Sequence, residues 1–479
     1  MDAKHFGRVI RSYGGWKTSC ILPLPCKPRI VYDRIHYMAP KTQTARPFSL
    51  LIKPAGPDCN LSCSYCFYLG KLSLFPESRV HRMSEAVLER LISTYLATDQ
   101  PVYAFGWQGG EPTLMGLEFF QTVVRLQKRY ARPGSSVSNG LQTNGTLLTD
   151  AMAAFFTEYK FLLGVSLDGP PEIHDHYRKH ADDRGTHREV MRGIRALRRQ
   201  GTEFNALTLV TQANVHRGKG VYRYLKEEGF FFHQYIPCVE YDVKGTPLPW
   251  SITGEEWGRF LLDIFEAWYP QDIRAISIRQ FDSILSKLLT GRATVCSMGE
   301  SCDSYFVVEH NGDVYPCDFF VDPSLKLGNI QKAKGWDEFL ASPLYRAFGA
   351  RKGKTHPHCT NCPYLEFCYG DCLKHRLPML APSISPATPV PTAALAASPT
   401  DPHKLEISRN AQVSDAPAAH PGGDSAPTLA FSSPAALSAP PYLSVLCEGW
   451  QLFYANTLPI FRELSQQVGP SLGTGLQHP

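Results

Sequence analysis

The stretch Cys59-Asn-Leu-Ser-Cys63-Ser-Tyr-Cys66 sets three thiols at C-x3-C-x2-C spacing, just after the apolar run Phe48–Ile52. Three thiolates can hold three irons of a four-iron, four-sulfur cluster, for which cysteine is the usual ligand. The fourth iron then stays open to a substrate or cofactor. A three-legged zinc site and a buried trio of small hydrophobes are the competing readings, and soft thiolate ligands suit both zinc and iron–sulfur clusters.

A second stretch, Gln108-Gly109-Gly110-Glu111-Pro112, offers two adjacent residues without side chains, so the backbone there can come close to a ligand. Taken alone it is equally a turn. A second cysteine system lies further on. Cys296-x5-Cys302 precedes two alternating runs, Tyr305–Glu309 and Asp313–Cys317, and Asn311-Gly312 between them signals a hairpin. The hairpin would bring Cys317 back toward Cys302. Cys359-x2-Cys362-x5-Cys368-x3-Cys372 follows. Paired C-x2-C elements commonly bind structural zinc, which is the alternative here. Of the fourteen cysteines, removing the first three together with Cys20, Cys26 and Cys238 leaves eight, the number that two four-cysteine clusters need. The eighth is Cys447.

These residues must be positioned by a scaffold, and its pattern is legible. Strand-like runs at Phe48–Lys53, Val102–Gln108, Val137–Thr143, Leu162–Asp168, Asn205–Thr211 and Phe231–Ile236 alternate with helical patterns at Ser84–Ala97, Leu117–Tyr130, Thr149–Tyr159, His187–Gln200 and Gly220–Glu228. Strict β/α alternation predicts a parallel sheet with right-handed crossovers, here an open, partial barrel. In such barrels chemistry collects at the C-terminal strand ends. Cys59–Cys66, Gln108–Pro112, Asn144 with Gly145, and Ser166 with Asp168 all fall there. Thr253–Ala267 and Ile273–Leu289 read as two helices, the first with an apolar stripe at Trp257, Phe260, Leu261 and Ile264.

Bulk properties exclude several classes. At 479 residues, 43% hydrophobic and 19% charged, the chain is globular with room for one to three domains. A net charge of +5 is too mild to argue for a nucleic-acid partner. No apolar run reaches the ~18 residues of a membrane span, and Met1–Tyr32 carries charges where a signal peptide needs an apolar core. A chain this long has no need of disulfide staples, so its clustered cysteines indicate metal and a reducing, cytoplasmic setting.

The cysteine motif, with Tyr65 before its last Cys, and Gly109-Gly110-Glu111-Pro112 together resemble the radical S-adenosylmethionine (SAM) enzymes, from about Pro47 to His375 and again from Tyr442. The resemblance implies a partial (β/α)6 barrel over 47–250, a helical connector over 251–290 and a cysteine-rich SPASM domain over 291–376. Residues 1–46 are then an extension, 377–441 a disordered Pro/Ala/Ser-rich insertion, and 442–479 a closing helical segment. It further implies three four-iron clusters. Cys59, Cys63 and Cys66 would hold the one that meets SAM. Cys296, Cys302, Cys317 and Cys372 would hold one auxiliary cluster, and Cys359, Cys362, Cys368 and Cys447 the other. Chain order would instead group Cys359, Cys362, Cys368 and Cys372. Tyr65, Gln108, Gly109, Gly110, Glu111, Pro112, Ser166, Arg178 and Ile236 would bind SAM, with Gly109–Pro112 taking its methionine amino group. For Arg178 the competing role is a solvated surface charge, and for Ile236 simple core.

Within that superfamily the chain looks most like the anaerobic sulfatase-maturating enzymes. The residues are Gly106–Gly116, Ser166–Arg178, Cys66-Phe67-Tyr68, and Asp318 directly after Cys317. In that family an acid at the Asp318 position is the proposed base; capping a turn is the common alternative. Tyr68 would face the substrate. The implied reaction oxidises Cβ of a Cys or Ser in a sulfatase polypeptide to Cα-formylglycine. The radical comes from SAM, the leftover electron leaves through an auxiliary cluster, and the electron donor is a low-potential protein such as ferredoxin or flavodoxin. Another SPASM-type peptide maturase, or a zinc-binding module without enzyme activity, are the other readings.

Overall fold

The computed structural model describes residues 47–242, 245–376 and 441–473. The expected N-terminal extension with Cys20 and Cys26, and all but the last residue of the expected insertion, lie outside the described residues.

Six parallel strands stand side by side in sequence order: β1 (Ser49–Lys53), β2 (Tyr103–Trp107), β3 (Val137–Thr143), β4 (Leu162–Ser166), β5 (Phe204–Val210) and β6 (Phe232–Pro237). Six helices return the chain between them: α1 (Glu85–Leu96), α2 (Gly116–Tyr130), α3 (Asp150–Glu158), α4 (Pro171–Tyr177), α5 (His187–Gln200) and α6 (Gly218–Glu227). The strands fall close to their expected bounds. Ser84, the first residue of the expected helical pattern, caps α1, its hydroxyl accepting from Val87 N at 3.3 Å. The short helix α4, opened by Pro170-Pro171, was not expected; Pro at its first turn costs no hydrogen bond.

The sheet is wider than six strands. The segment read as one helix over Ile273–Leu289 instead begins with β7 (Ser277–Ile278), which pairs with β6, and becomes helical only at α8 (Arg279–Thr290). Ser277 N donates to Phe231 O at 2.8 Å, so the backbone there bonds to the sheet and not to a helical turn. On the opposite edge β8 (Tyr305–Glu309) lies parallel to β1 through five residue pairs. It turns through Asn311-Gly312 into β9 (Asp313–Tyr315), Gly312 adopting φ +86° as the turn requires. β10 (Gly328–Asn329) completes the order β10-β9-β8-β1-β2-β3-β4-β5-β6-β7. The predicted hairpin is therefore present, and it also extends the barrel sheet itself.

α7 (Gly254–Trp268) carries the expected apolar stripe, with Trp257, Phe260, Leu261 and Ile264 fully buried. α9 (Trp336–Ala341), α10 (Pro343–Arg351) and α11 (Leu365–Cys368) follow the hairpin, and α12 (Cys447–Gly473) closes the chain. Trp450, Phe453 and Phe461 of α12 pack on Trp257 and Phe265 of α7 and Phe281 of α8. Each such side chain is worth about 1.5–3 kcal/mol when fully buried, so α12 has its own reason to dock. Gly449 makes the approach possible, since a Cβ there would overlap the Gly254 carbonyl.

Candidate active site

The loop after β1 carries Cys59, Cys63 and Cys66, and the end of β2 is stitched to it. Gly110 N donates to Gly56 O at 2.9 Å and Glu111 N to Asp58 O at 2.8 Å. A side chain at Gly110 would overlap the Asp58 carbonyl, so the glycine is needed for loop-to-strand contact before any ligand is considered. Glu111 is fully buried, and both its carboxylate oxygens are occupied: Thr113 and Thr143 donate to one, Asn144 N to the other at 2.7 Å. It ties the ends of β2 and β3 together. Asn144 also reaches the cysteine loop, its Nδ2 donating to Asn60 Oδ1 at 2.9 Å and lying 3.7 Å from Cys59 Sγ.

Arg178 is no surface charge. Its Nε meets Asp168 Oδ2 at 2.9 Å, its Nη2 reaches Oδ1 at 3.2 Å, and Tyr65 O–H donates to the same carboxylate at 2.6 Å. The guanidinium stands over the Tyr65 ring, 5.4 Å from its centre. Asp168, just past the end of β4, thus organises two of the expected SAM contacts beside Cys63, a role that its strand-end position alone did not specify. Ser166 is buried at the last position of β4 and Ile236 half-buried near the end of β6, both on the same rim.

Asp318 reaches that rim from the hairpin. Gln108 Nε2 donates to its Oδ2 at 2.9 Å, and Lys53, buried at the end of β1, forms an ion pair with Oδ1. Lys53 also lies over the Tyr68 ring, 4.6 Å from its centre. Tyr68 is buried, its hydroxyl donating to the fully buried Glu309 of β8. Lys53 and Glu309 were missed by sequence reasoning. The available signal was a charged residue ending each of two apolar strands that turn out to be neighbours.

The remaining cysteines fall into two groups. Cys372 lies with Cys296, Cys302 and Cys317 close enough to feel their charge. Cys447 is likewise coupled to Cys359 and Cys362, and Cys368 to Cys447. Cys359, Cys362, Cys368 and Cys447 together wall one cavity, with Tyr364 and Tyr454 beside them. The fold thus gathers Cys296, Cys302, Cys317 and Cys372 in one place and Cys359, Cys362, Cys368 and Cys447 in another. Cys238 packs instead with Leu61, Cys63 and Tyr65.

Burial pushes these thiols up: Cys317, Cys368 and Cys447 to about 12, Cys63 and Cys302 to about 11. Thiolates in such surroundings call for a bound cation, which the iron of a cluster or a zinc ion would supply. Among the described residues no three His, Cys, Asp or Glu side chains close on one metal-ion position, whereas a cubane takes each thiolate at a separate iron. No helix among the described residues is long and apolar enough to cross a membrane.

Comparison with known proteins agrees with this geometry. Residues 54–221 match the radical SAM superfamily, and residues 296–363 match the iron-sulfur cluster-binding domain called SPASM. The serine-type anaerobic sulfatase-maturating enzyme of Bacteroides thetaiotaomicron is 38% identical over 349 residues, 69% of this chain and 84% of that one. The cysteine-type enzyme of Clostridium perfringens is 38% identical over 334 residues, 69% of this chain and 90% of that one. The structure of native anSMEcpe with bound AdoMet superposes with a TM-score of 0.70 at 31% identity, covering 88% of this chain and all of that one. Its complex with AdoMet and the Cp18Cys peptide gives 0.71 at 31% identity, over 88% and 99% of the two chains.

The fold and site define a radical SAM enzyme that uses SAM and iron–sulfur clusters. The chain belongs to the anaerobic sulfatase-maturating enzymes.

Proposed function

We propose that this chain oxidises Cβ of a Cys or Ser in a sulfatase polypeptide to Cα-formylglycine, with Asp318 as the general base. The observation that carries this reading is the placement of Asp318. It follows Cys317 in one cysteine quartet, yet its carboxylate is held by Gln108 and Lys53 at the ends of β2 and β1, on the rim that bears Cys59–Cys66. A base must lie within hydrogen-bond reach of the proton it takes, directly or through one water. When bound, SAM and its cluster supply the radical that removes hydrogen from the substrate carbon, chemistry that belongs to the cofactor.

The chain's own residues do the rest. Cys59, Cys63 and Cys66 would ligate the SAM-facing cluster, and the two quartets would hold one auxiliary cluster each, making three. Tyr65, Gln108–Pro112, Ser166, Arg178 and Ile236 would line the SAM site. Asp168 fixes Tyr65 and Arg178, and Glu111 fixes the strand ends. Gln108 and Lys53 orient the Asp318 carboxylate, which takes the thiol or hydroxyl proton. Tyr68 would meet the substrate through its ring and not its hydroxyl, which Glu309 engages. A low-potential donor such as ferredoxin or flavodoxin, in a cytoplasmic setting, would supply electrons.

Serine-type and cysteine-type relatives match equally well, so the test presents both side chains. Anaerobic holoenzyme is incubated with SAM and otherwise identical sulfatase peptides carrying Cys or Ser, and mass spectrometry follows the aldehyde. Formylglycine in at least one peptide is expected. A crosslink or an epimerised residue in place of the aldehyde would instead indicate another peptide maturase.

A further inference from the structure

Between the two cysteine quartets lies a lysine that the proposed chemistry does not use. Lys352, directly after α10, is completely buried. Its Nζ donates to Ser297 O at 3.0 Å, Cys368 O at 3.3 Å and Tyr369 O at 2.9 Å. Three carbonyl acceptors on one nitrogen use the three N–H donors of an ammonium group. Ser297 follows Cys296 in one quartet; Cys368 belongs to the other, and Tyr369 follows it. The same cation therefore clasps the ligand loops of both.

Arg376 reinforces it. The guanidinium donates to Gly370 O at 2.6 Å, to Lys352 O and Lys354 O at 3.0 Å each, to Asp371 O at 3.1 Å, and to Tyr369 O. The Asp371 carboxylate nearby is itself engaged by His375 Nδ1 at 2.7 Å and by Ser444 Oγ at 2.8 Å. Apart from these carbonyl dipoles the Asp371 carboxylate also favours both cations, but one carboxylate already paired with His375 compensates two buried, mutually repelling cations poorly. A cluster with four thiolate ligands is a net anion and would compensate them well.

We infer that Lys352 is a shared electrostatic positioning residue for electron transfer, whose ammonium group raises the reduction potential of both auxiliary clusters together. The inference rests on the proposed reading that each quartet holds a cluster. Cluster potentials respond to net charge, hydrogen bonding and exposure. A positive charge in a low-dielectric interior favours the state with the extra electron. The three acceptors of Lys352 Nζ all belong to the quartet loops, and none to the Cys59–Cys66 loop that would hold the SAM-facing cluster.

The test uses the full-length, anaerobically reconstituted enzyme and its Lys352→Met and Lys352→Arg variants. Iron and sulfide are counted, and each cluster's midpoint potential is followed by electron paramagnetic resonance. Wild-type iron near about four per chain, in place of about twelve, would sink the cluster reading and this inference with it. With iron at the higher value, the Met variant is expected to show both auxiliary midpoints displaced to more negative potential, the SAM-facing cluster unmoved, and the Arg variant restored. Unmoved auxiliary midpoints, or displacement of one alone, would overturn the inference. Should the Met variant lose its auxiliary iron, retention of iron and wild-type potentials in the Arg variant would support a role for the charge. Equal loss in both variants would overturn it.

Discussion

Gln108 Nε2 and Asp318 Oδ2 stand 2.9 Å apart although 210 residues separate them in the chain. Through this contact the glycine-rich end of β2 and the loop behind Cys317 become one surface, and the proposed base is placed beside the proposed SAM site.

Asp318→Asn keeps the size of the side chain and its polarity but removes the proton acceptor. SAM cleavage should persist while formylglycine formation falls by about 10²–10⁴, the usual contribution of general base catalysis. Parallel assays of 5′-deoxyadenosine and peptide aldehyde check this. A normal aldehyde yield would reduce Asp318 to a turn residue.

Replacing Cys59, Cys63 and Cys66 with Ala should abolish SAM cleavage while leaving about eight irons per chain, since the two quartets stand on other elements. Iron analysis together with a 5′-deoxyadenosine assay reads both effects. Continued SAM cleavage would refute the assignment of that loop.

The chain leaves the described core after Arg376 and returns at Pro441 with its two ends already fastened: Val445 N donates to His375 O at 3.0 Å, and Ser444 Oγ to Asp371 Oδ2 at 2.8 Å. Loop length costs only about 0.6 kcal/mol per doubling. Exchanging Pro378–Ala439 for a short Gly/Ser linker should therefore preserve iron content and activity. Cys447→Ala should lower iron from about twelve toward about eight. Undiminished iron in that variant would place the fourth ligand elsewhere.

Gly449→Ala adds a Cβ where α12 touches the Gly254 carbonyl of α7. Overpacking of this kind costs about 1–3 kcal/mol. Chemical denaturation should show that loss, and because Cys447 begins the same helix, iron in its quartet should become labile to chelators. Unchanged stability would mean that the two helices separate without penalty.

Asp168→Asn leaves Arg178, whose side chain is only 12% exposed, with its charge unmatched. Removing one partner of a buried pair typically costs about 3–5 kcal/mol, and the single amide oxygen of Asn is left to serve Tyr65, Arg178 and Leu209 N. A fall in unfolding free energy of that order, with weaker SAM binding by calorimetry, is expected. Wild-type SAM affinity would show that Tyr65 and Arg178 do not depend on Asp168.

Local pattern alone determined much of this protein. Six β/α repeats, the hairpin at Asn311-Gly312 and the apolar stripe of α7 are period and turn signals, set by neighbours close in sequence. The spacing of Cys59, Cys63 and Cys66 is local too. Tertiary structure decided what depends on distant partners. Ser277–Ile278 became a strand because Phe231 and Phe232 were there to pair with it. β8 joined β1, and that union set Glu309 against Tyr68 and Asp318 against Lys53. Asp168 gained its role from Tyr65 and Arg178, and Cys372 and Cys447 exchanged the groups that chain order suggests. Buried charges such as Lys53, Glu309 and Lys352 are invisible to periodicity, because a charge is tolerated inside only when the fold supplies its partner.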